Sequence, residues 1–210
     1  MVMRKDRVNM VLDLLEEEYP EAECALHHKN PFELLVAVAL SAQTTDVSVN
    51  KVTPALFEKY PTPQTLASAD EKDVIQIIKT IGMYKTKSKN IINMSKMLVS
   101  DYGGKVPESD EELVKLPGVG RKTANVVMSV AFGHQRIAVD THVFRVSNRI
   151  GIVDEPDVLK TELALMKRIP QNRWSKTHHS LIFHGRQCCT ARNPKCGECV
   201  IKDLCKKNFK

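Results

Sequence analysis

Apolar side chains recur every three or four residues through almost all of this chain, and that spacing constrains its fold more than any other feature. Val8, Val11, Leu12 and Leu15 fall on one face of a helix; Phe32, Leu35, Val36 and Ala39 repeat the pattern, as do Val74, Ile77, Ile78 and Ile81. The end signals agree. Asp70 stands where an N-cap belongs before the third set, and Gly82 where a C-terminal stop belongs. Ser109-Asp110-Glu111-Glu112 reads as a capping box, in which the Ser hydroxyl and a Glu carboxylate satisfy reciprocal backbone donors. Further helices are predicted near 46–58, 87–100, 123–132, 141–150, 157–168 and 173–187. No run of alternating strands and no Asn-Gly or Asp-Gly hairpin turn is present. The expectation is an all-α fold.

A chain of 210 residues allows one ordinary domain or two small ones. Its 42% apolar and 27% charged shares suit a globular protein and argue against disorder or a fibrous repeat. The longest uninterrupted apolar run, Leu34 to Leu40, falls far short of the roughly 20 residues of a membrane-spanning helix. The N-terminal stretch turns acidic at Glu16-Glu17-Glu18 and shows no signal-peptide pattern, so a cytoplasmic address is expected. In that compartment six cysteines read as metal ligands or free thiols rather than disulfides. The 31 Lys and Arg against 25 Asp and Glu leave a formal charge of +6, which suits a polyanionic partner such as nucleic acid. One candidate boundary is the loop Gly133-His134-Gln135-Arg136, and composition shifts again near residue 186. The two chain ends are expected to share a domain, because the first helix has an apolar face and no short-range partner.

Leu116-Pro117-Gly118-Val119-Gly120-Arg121-Lys122 lies between the capping box and the apolar helix that follows. A dinucleotide fingerprint needs a third glycine where Thr123 stands, and a P-loop needs one where Arg121 stands. What remains is a tight Gly-rich turn between two helices. It is either a plain helical corner or a main-chain grip on a nucleic-acid phosphate, since glycine lets backbone approach and helix-initial N–H groups attract anions. Lys122 falls in the first turn of the second helix, where the helix dipole and Arg121 both disfavour a second positive charge and so favour a neutral, nucleophilic amine. On its own, a lysine there reads as a solvated surface residue. Asp140 precedes the pattern Val139, Val143, Val146, Ile150 and reads as that helix's N-cap.

Cys189, Cys196, Cys199 and Cys205 have the spacing C-x6-C-x2-C-x5-C, four soft ligands in 17 residues and therefore a metal site. The spacing leaves zinc and iron open, because it fits neither paired zinc ligands nor the common ferredoxin patterns. Arg186, Arg192, Lys195 and Lys202 surround it in sequence, as phosphate contacts or as compensation for a negative centre. Cys188 is assigned no role, and Cys24 reads as an ordinary buried thiol.

The stretches LPGVGRKTANVV at 116–127, AVDTHVFRVSNRIG at 138–151 and SAQTTDVSVNK at 41–51, with the cysteine cluster, resemble the helix-hairpin-helix DNA glycosylases and within them the endonuclease III family. The resemblance covers nearly the whole chain. It implies two helical domains with DNA in the cleft between them. Residues 24–133 would form a six-helix domain holding the hairpin, and 1–23 with 134–210 an iron–sulfur domain. It implies a [4Fe–4S] cluster on Cys189, Cys196, Cys199 and Cys205, with Arg192 and Lys195 on a basic finger for phosphate. Lys122 takes the place of the nucleophile and Asp140 that of the essential carboxylate. Gly118, Val119, Gly120 and Arg121 form the hairpin that holds the DNA backbone. Gln43 would fill the gap left by a flipped nucleotide, and Met83 would wedge the opposite strand, where the family more often has Leu; from the residues alone, Met83 reads as core. Lys85, Lys87 and Lys89 either touch phosphate or solvate a face.

The activity implied is that of a bifunctional DNA glycosylase and apurinic/apyrimidinic lyase acting on oxidised pyrimidines, a monomer whose partner is damaged double-stranded DNA and not a membrane. Two alternatives stand beside it. An adenine-mispair glycosylase shares the hairpin, the Asp and the cluster, but usually lacks the Lys and carries a further C-terminal domain. A non-enzymatic, metal-stapled DNA-binding module would bind duplex and leave it intact.

Overall fold

A computed structural model describes residues 2–209. Among them the regular structure is eleven α-helices and one 3-10 turn, with no strand. They divide into two compact units, Cys24–Gly133 and the remainder of the chain on either side of it.

The unit Cys24–Gly133 is built around α2, Pro31–Leu40. Asn30 caps it, accepting from Glu33 N at 2.9 Å, and Pro31 supplies the preset first turn. Every residue from Phe32 to Leu40 is buried, so the one-faced pattern in the sequence understates this helix. It is apolar on all sides because α3 (Asp46–Lys59), α6 (Tyr84–Tyr102) and α8 (Arg121–Val130) pack around it. Glu33, the one charge in that run, turns back to accept from Lys29 N at 2.7 Å at the positive helix end. Cys24 is half-buried against this core rather than fully enclosed, and burial pushes its thiol up.

One helix is unpredicted and two local readings change. Helix α4, Pro63–Ala67, has no long apolar period, but its start was legible: Thr62 and Thr65 form a reciprocal capping box with Pro63 at the first position. Helix α5, Glu71–Ile78, starts on Asp70, which accepts from Lys72 N at 2.9 Å, yet it stops before Gly82. Ile81 is buried beyond the helix end, its N–H bonded to Ile78 O at 3.1 Å. Helix α7 is the single turn Asp110–Leu113. Its Ser109 hydroxyl accepts from Glu112 N at 3.4 Å, but the Glu112 carboxylate does not reach back. It accepts instead from the Tyr102 hydroxyl and, at 2.7 Å, from Lys115 Nζ, a charged donor that outcompetes a backbone amide.

The other unit gathers both chain ends. Helix α1, Lys5–Glu18, buries Val8, Val11, Leu12 and Leu15 in one cluster with Val143, Val146 and Ile150 of α9 (Thr141–Ile150), Leu165 of α10 (Val158–Arg168) and Leu181 of α11 (Trp174–Gln187). Met3 N donates to Gly151 O at 2.7 Å, and Arg173 pairs with Asp13 and Glu16 at 2.8 and 2.9 Å. Beyond α11 the chain runs without further α-helix through the cysteine segment. No helix among the described residues is long and apolar enough to cross a membrane.

Candidate functional site

The turn at 116–120 is a hydrogen-bonded corner. Leu116 N bonds Leu113 O and Val119 N bonds Leu116 O, both at 3.1 Å, and α8 opens with Ala124 N on Gly120 O at 2.9 Å. Gly118 sits at φ +80°, and a Cβ there would stand 3.1 Å from the Asn90 side chain, so both conformation and space demand glycine. Gly118→Ala is therefore expected to lower stability by about 1–3 kcal/mol, read as a fall in melting temperature. Gly120 differs. Its backbone is extended and a Cβ built on it meets nothing within 4 Å. Packing does not require glycine there; its effect is to leave the start of α8 without a side-chain cap and open to an outside acceptor. Val119 is buried, so its side chain anchors the turn. Arg121 and Lys122 are the first two residues of α8, and both are exposed. Two cations at the positive end of a helix gain nothing from its dipole.

In the same unit, Gln43 and Met83 stand on neighbouring loops. A Cβ on Gly82 would lie 3.9 Å from both Gln43 O and Thr44 Oγ1. Gln43 and Met83 are two non-glycine residues in the left-handed region, at φ 53° and 57°, a conformation costing roughly 1–3 kcal/mol each. Both side chains are exposed, Met83 by 52%, so it is not the core residue its place after a helix suggests. Beneath them Lys87, only 4% exposed, donates to Thr44 Oγ1 at 2.7 Å, and burial pushes its ammonium below the usual lysine value. It fastens the Gln43 loop to α6, a role that neither reading of the lysine run foresaw. Lys85 and Lys89 are exposed.

In the other unit Asp140 caps α9, accepting from Val143 N at 2.8 Å, which fixes the carboxylate's direction. His142 follows, held below its ordinary value by burial, with Asp140 opposing that shift.

The structure brings Cys189, Cys196, Cys199 and Cys205 to one pocket that encloses about 310 Å³ of empty space including its mouth. Burial pushes the Cys189 and Cys205 thiols up, and the neighbouring thiols add to this. Thiols crowded together away from water are disfavoured as anions unless a cationic centre binds them. Donors to sulfur are already in place: Lys207 N lies 3.4 Å from Cys205 Sγ and an Arg149 guanidinium N 3.9 Å from Cys189 Sγ. An all-sulfur donor set with N–H groups aimed at it fits an iron–sulfur cluster.

The sequence missed the groups that hold this segment. The basic residues nearest in sequence, Arg192 and Lys195, are exposed on the loop, whereas the cations bonded to it come from α9. Arg149 donates to Thr190 O and Ala191 O at 2.7 and 2.8 Å, and Arg145 to Gly185 O at 2.8 Å and Cys189 O at 3.1 Å. Their i, i+4 spacing on a predicted helix was the available signal. His184, 1% exposed, places Nε2 3.7 Å from Cys199 Sγ while Nδ1 pairs with the Tyr19 hydroxyl at 3.1 Å; burial lowers its pKa to about 4.

Residues 36–171 match the family described as HhH-GPD superfamily base excision DNA repair protein. The chain belongs to this superfamily. Residues 189–205 also match the iron–sulfur binding domain of endonuclease III, a range whose limits fall on Cys189 and Cys205. The cofactor is a [4Fe–4S] cluster. This HhH-GPD chain is 54% identical over 205 residues to Endonuclease III of Bacillus subtilis (strain 168), covering 97% of the chain and 94% of that relative. It is 47% identical over 203 residues to Endonuclease III of Escherichia coli (strain K12), covering 97% and 96%. Among solved structures it is similar to a trapped endonuclease III–DNA covalent intermediate, with TM-score 0.93, 50% identity and coverage of 98% and 97%. It shares its fold with a thermostable thymine-DNA glycosylase at TM-score 0.85 and 24% identity.

Proposed function

We propose that Lys122 is the nucleophile and Asp140 the assisting carboxylate of a bifunctional DNA glycosylase and AP lyase. The chain is an enzyme of base excision repair. The observation that carries the reading is the similarity at 50% identity to an endonuclease III caught covalently on DNA, joined to the presence of an exposed amine at Lys122 on the hairpin helix. A covalent protein–DNA intermediate needs a nucleophile, and the non-enzymatic reading offers none.

Through its nitrogen lone pair, the Lys122 amine attacks C1′ of a damaged pyrimidine nucleotide turned out of the duplex. The glycosidic bond breaks, its electron pair leaves with the base, and the base takes up a proton. The Asp140 carboxylate, aimed by the Val143 N–H, stabilises positive charge developing on the sugar. Ring opening yields a Schiff base between Nζ and C1′. Loss of a C2′ proton then expels the 3′ phosphate by β-elimination, cutting the strand on the 3′ side. No electron is exchanged with a redox partner in this sequence. The cluster, when bound, supplies a rigid metal–thiolate crosslink that orders the segment between Cys189 and Cys205, and those two with Cys196 and Cys199 are its ligands in this reading.

Around that chemistry, the Gly118–Arg121 turn holds phosphate through backbone N–H groups, while Arg192 and Lys195 contact phosphate from the loop after Cys189. Gln43 fills the vacated stack and Met83 wedges it. Their left-handed backbones and exposed side chains support this, since strain kept at exposed positions is most simply explained by what those side chains touch. The two units correspond to a helix-hairpin-helix domain and an iron–sulfur domain. The protein works as a monomer in the cytoplasm, on damaged duplex.

The test is a labelled duplex carrying one oxidised pyrimidine. Release of the free base together with a nick on the 3′ side is the expected result. Salt-sensitive binding that leaves the duplex whole overturns the enzymatic reading in favour of a binding module.

A further inference from the structure

Cys188 is outside the four-ligand assignment, yet the structure places it in the same pocket. The pocket is lined by five thiols, those of Cys188, Cys189, Cys196, Cys199 and Cys205, against four ligands needed. Cys188 is tightly grouped: its Sγ, the Cys199 Sγ and a ring nitrogen of His184 lie within 4.8 Å of one another, a spacing suited to shared metal ligation. Its backbone is equally fixed. The N–H groups of Cys188 and Cys189 both return to His184 O, at 3.0 and 2.7 Å, while Cys188 O accepts from Thr190 N and Lys195 N at 3.0 Å each. The carbonyl of Cys188 thus pins both ends of the 190–195 loop, and its sulfur cannot swing far from the site.

We infer that Cys188 is a reserve ligand, able to take the iron corner normally held by Cys189. The inference rests on the ligand set proposed above. Neighbouring groups decide which of the two adjacent thiols binds in the native protein. Cys189 Sγ has an N–H donor of the Arg149 guanidinium 3.9 Å away, the kind of contact that supports a metal-bound sulfur, whereas Cys188 Sγ is turned to the Lys195 carbonyl at 3.6 Å, an acceptor rather than a donor. When Cys189 is lost, the Cys188 thiol gives up its proton to solvent and its sulfur bonds the exposed iron. No oxidant or reductant enters. The benefit is a cluster that survives chemical damage at its first ligand.

The test uses the full chain, purified without oxygen, with iron and acid-labile sulfide counted per chain and the visible and EPR spectra recorded. Cys189→Ala is expected to keep about four irons, and Cys188→Ala alone likewise, while the double variant falls to about three irons with a [3Fe–4S] signal or to none. A single Cys189→Ala variant that behaves like the double one overturns the proposal, whether both lose the cluster or both keep it. Cys196→Ala, with no adjacent thiol, separates the two levels of the argument: it loses iron if the four-ligand set is right, and a full complement there overturns that set and the reserve with it.

Discussion

Lys122→Gln is expected to abolish the borohydride-trapped adduct on an abasic duplex and to lower strand cleavage by about 10³-fold or more, because it removes the amine proposed to become the Schiff base. The substitution also removes one cation from the N-terminal turn of α8, where it gained nothing from the dipole, so folding stability is expected to hold or rise slightly. Loss of activity without loss of stability is the signature of a residue kept for chemistry. A gel assay for the covalent adduct and a thermal melt on the same preparation check both halves. An adduct at the yield of the unmodified protein contradicts the assignment.

The second large effect is at Asp140, where two roles are superimposed and two substitutions separate them. Asparagine is as good an N-cap as aspartate, so Asp140→Asn keeps the bond from Val143 N and changes stability little, while removing the charge proposed to act on the sugar. Base release is expected to fall by about 10²–10³-fold, the scale of losing one preorganised electrostatic contact. Asp140→Ala loses the charge and the cap together, adding about 1 kcal/mol of destabilisation to the same catalytic loss. Single-turnover base release and melting temperature, measured on both variants, test the separation. Equal activity of Asp140→Asn and the unmodified protein leaves Asp140 as a cap alone.

What the sequence made legible was whatever depends on local spacing. The α9 boundaries and its Asp140 cap follow from an apolar period preceded by a cap residue, and the structure has both. The convergence of four cysteines follows from their closeness along the chain. What it hid depends on contacts distant in sequence. Arg145 and Arg149 belong to α9 but bond carbonyls some 40 residues later, a pairing that nothing in the local sequence beside the cysteines shows. Lys87 sat in a run of exposed lysines and differs from them only because Thr44, from a loop 43 residues earlier, offers it a hydroxyl inside the fold. Backbone strain at Gln43 and Met83 has no sequence signal at all, since neither residue type favours a left-handed conformation. The Glu112 carboxylate shows the opposite error, a local motif overruled by a tyrosine and a lysine that the local pattern ignored.

The most direct measurement is the identity of the amine joined to DNA. Reduction of the protein on an abasic duplex, followed by proteolysis and mass spectrometry of the nucleotide-bearing peptide, is expected to place the modification on Lys122 alone. A modification on the N-terminal amine or on another lysine, with Lys122 recovered unmodified, contradicts the claim that this hairpin amine performs the chemistry.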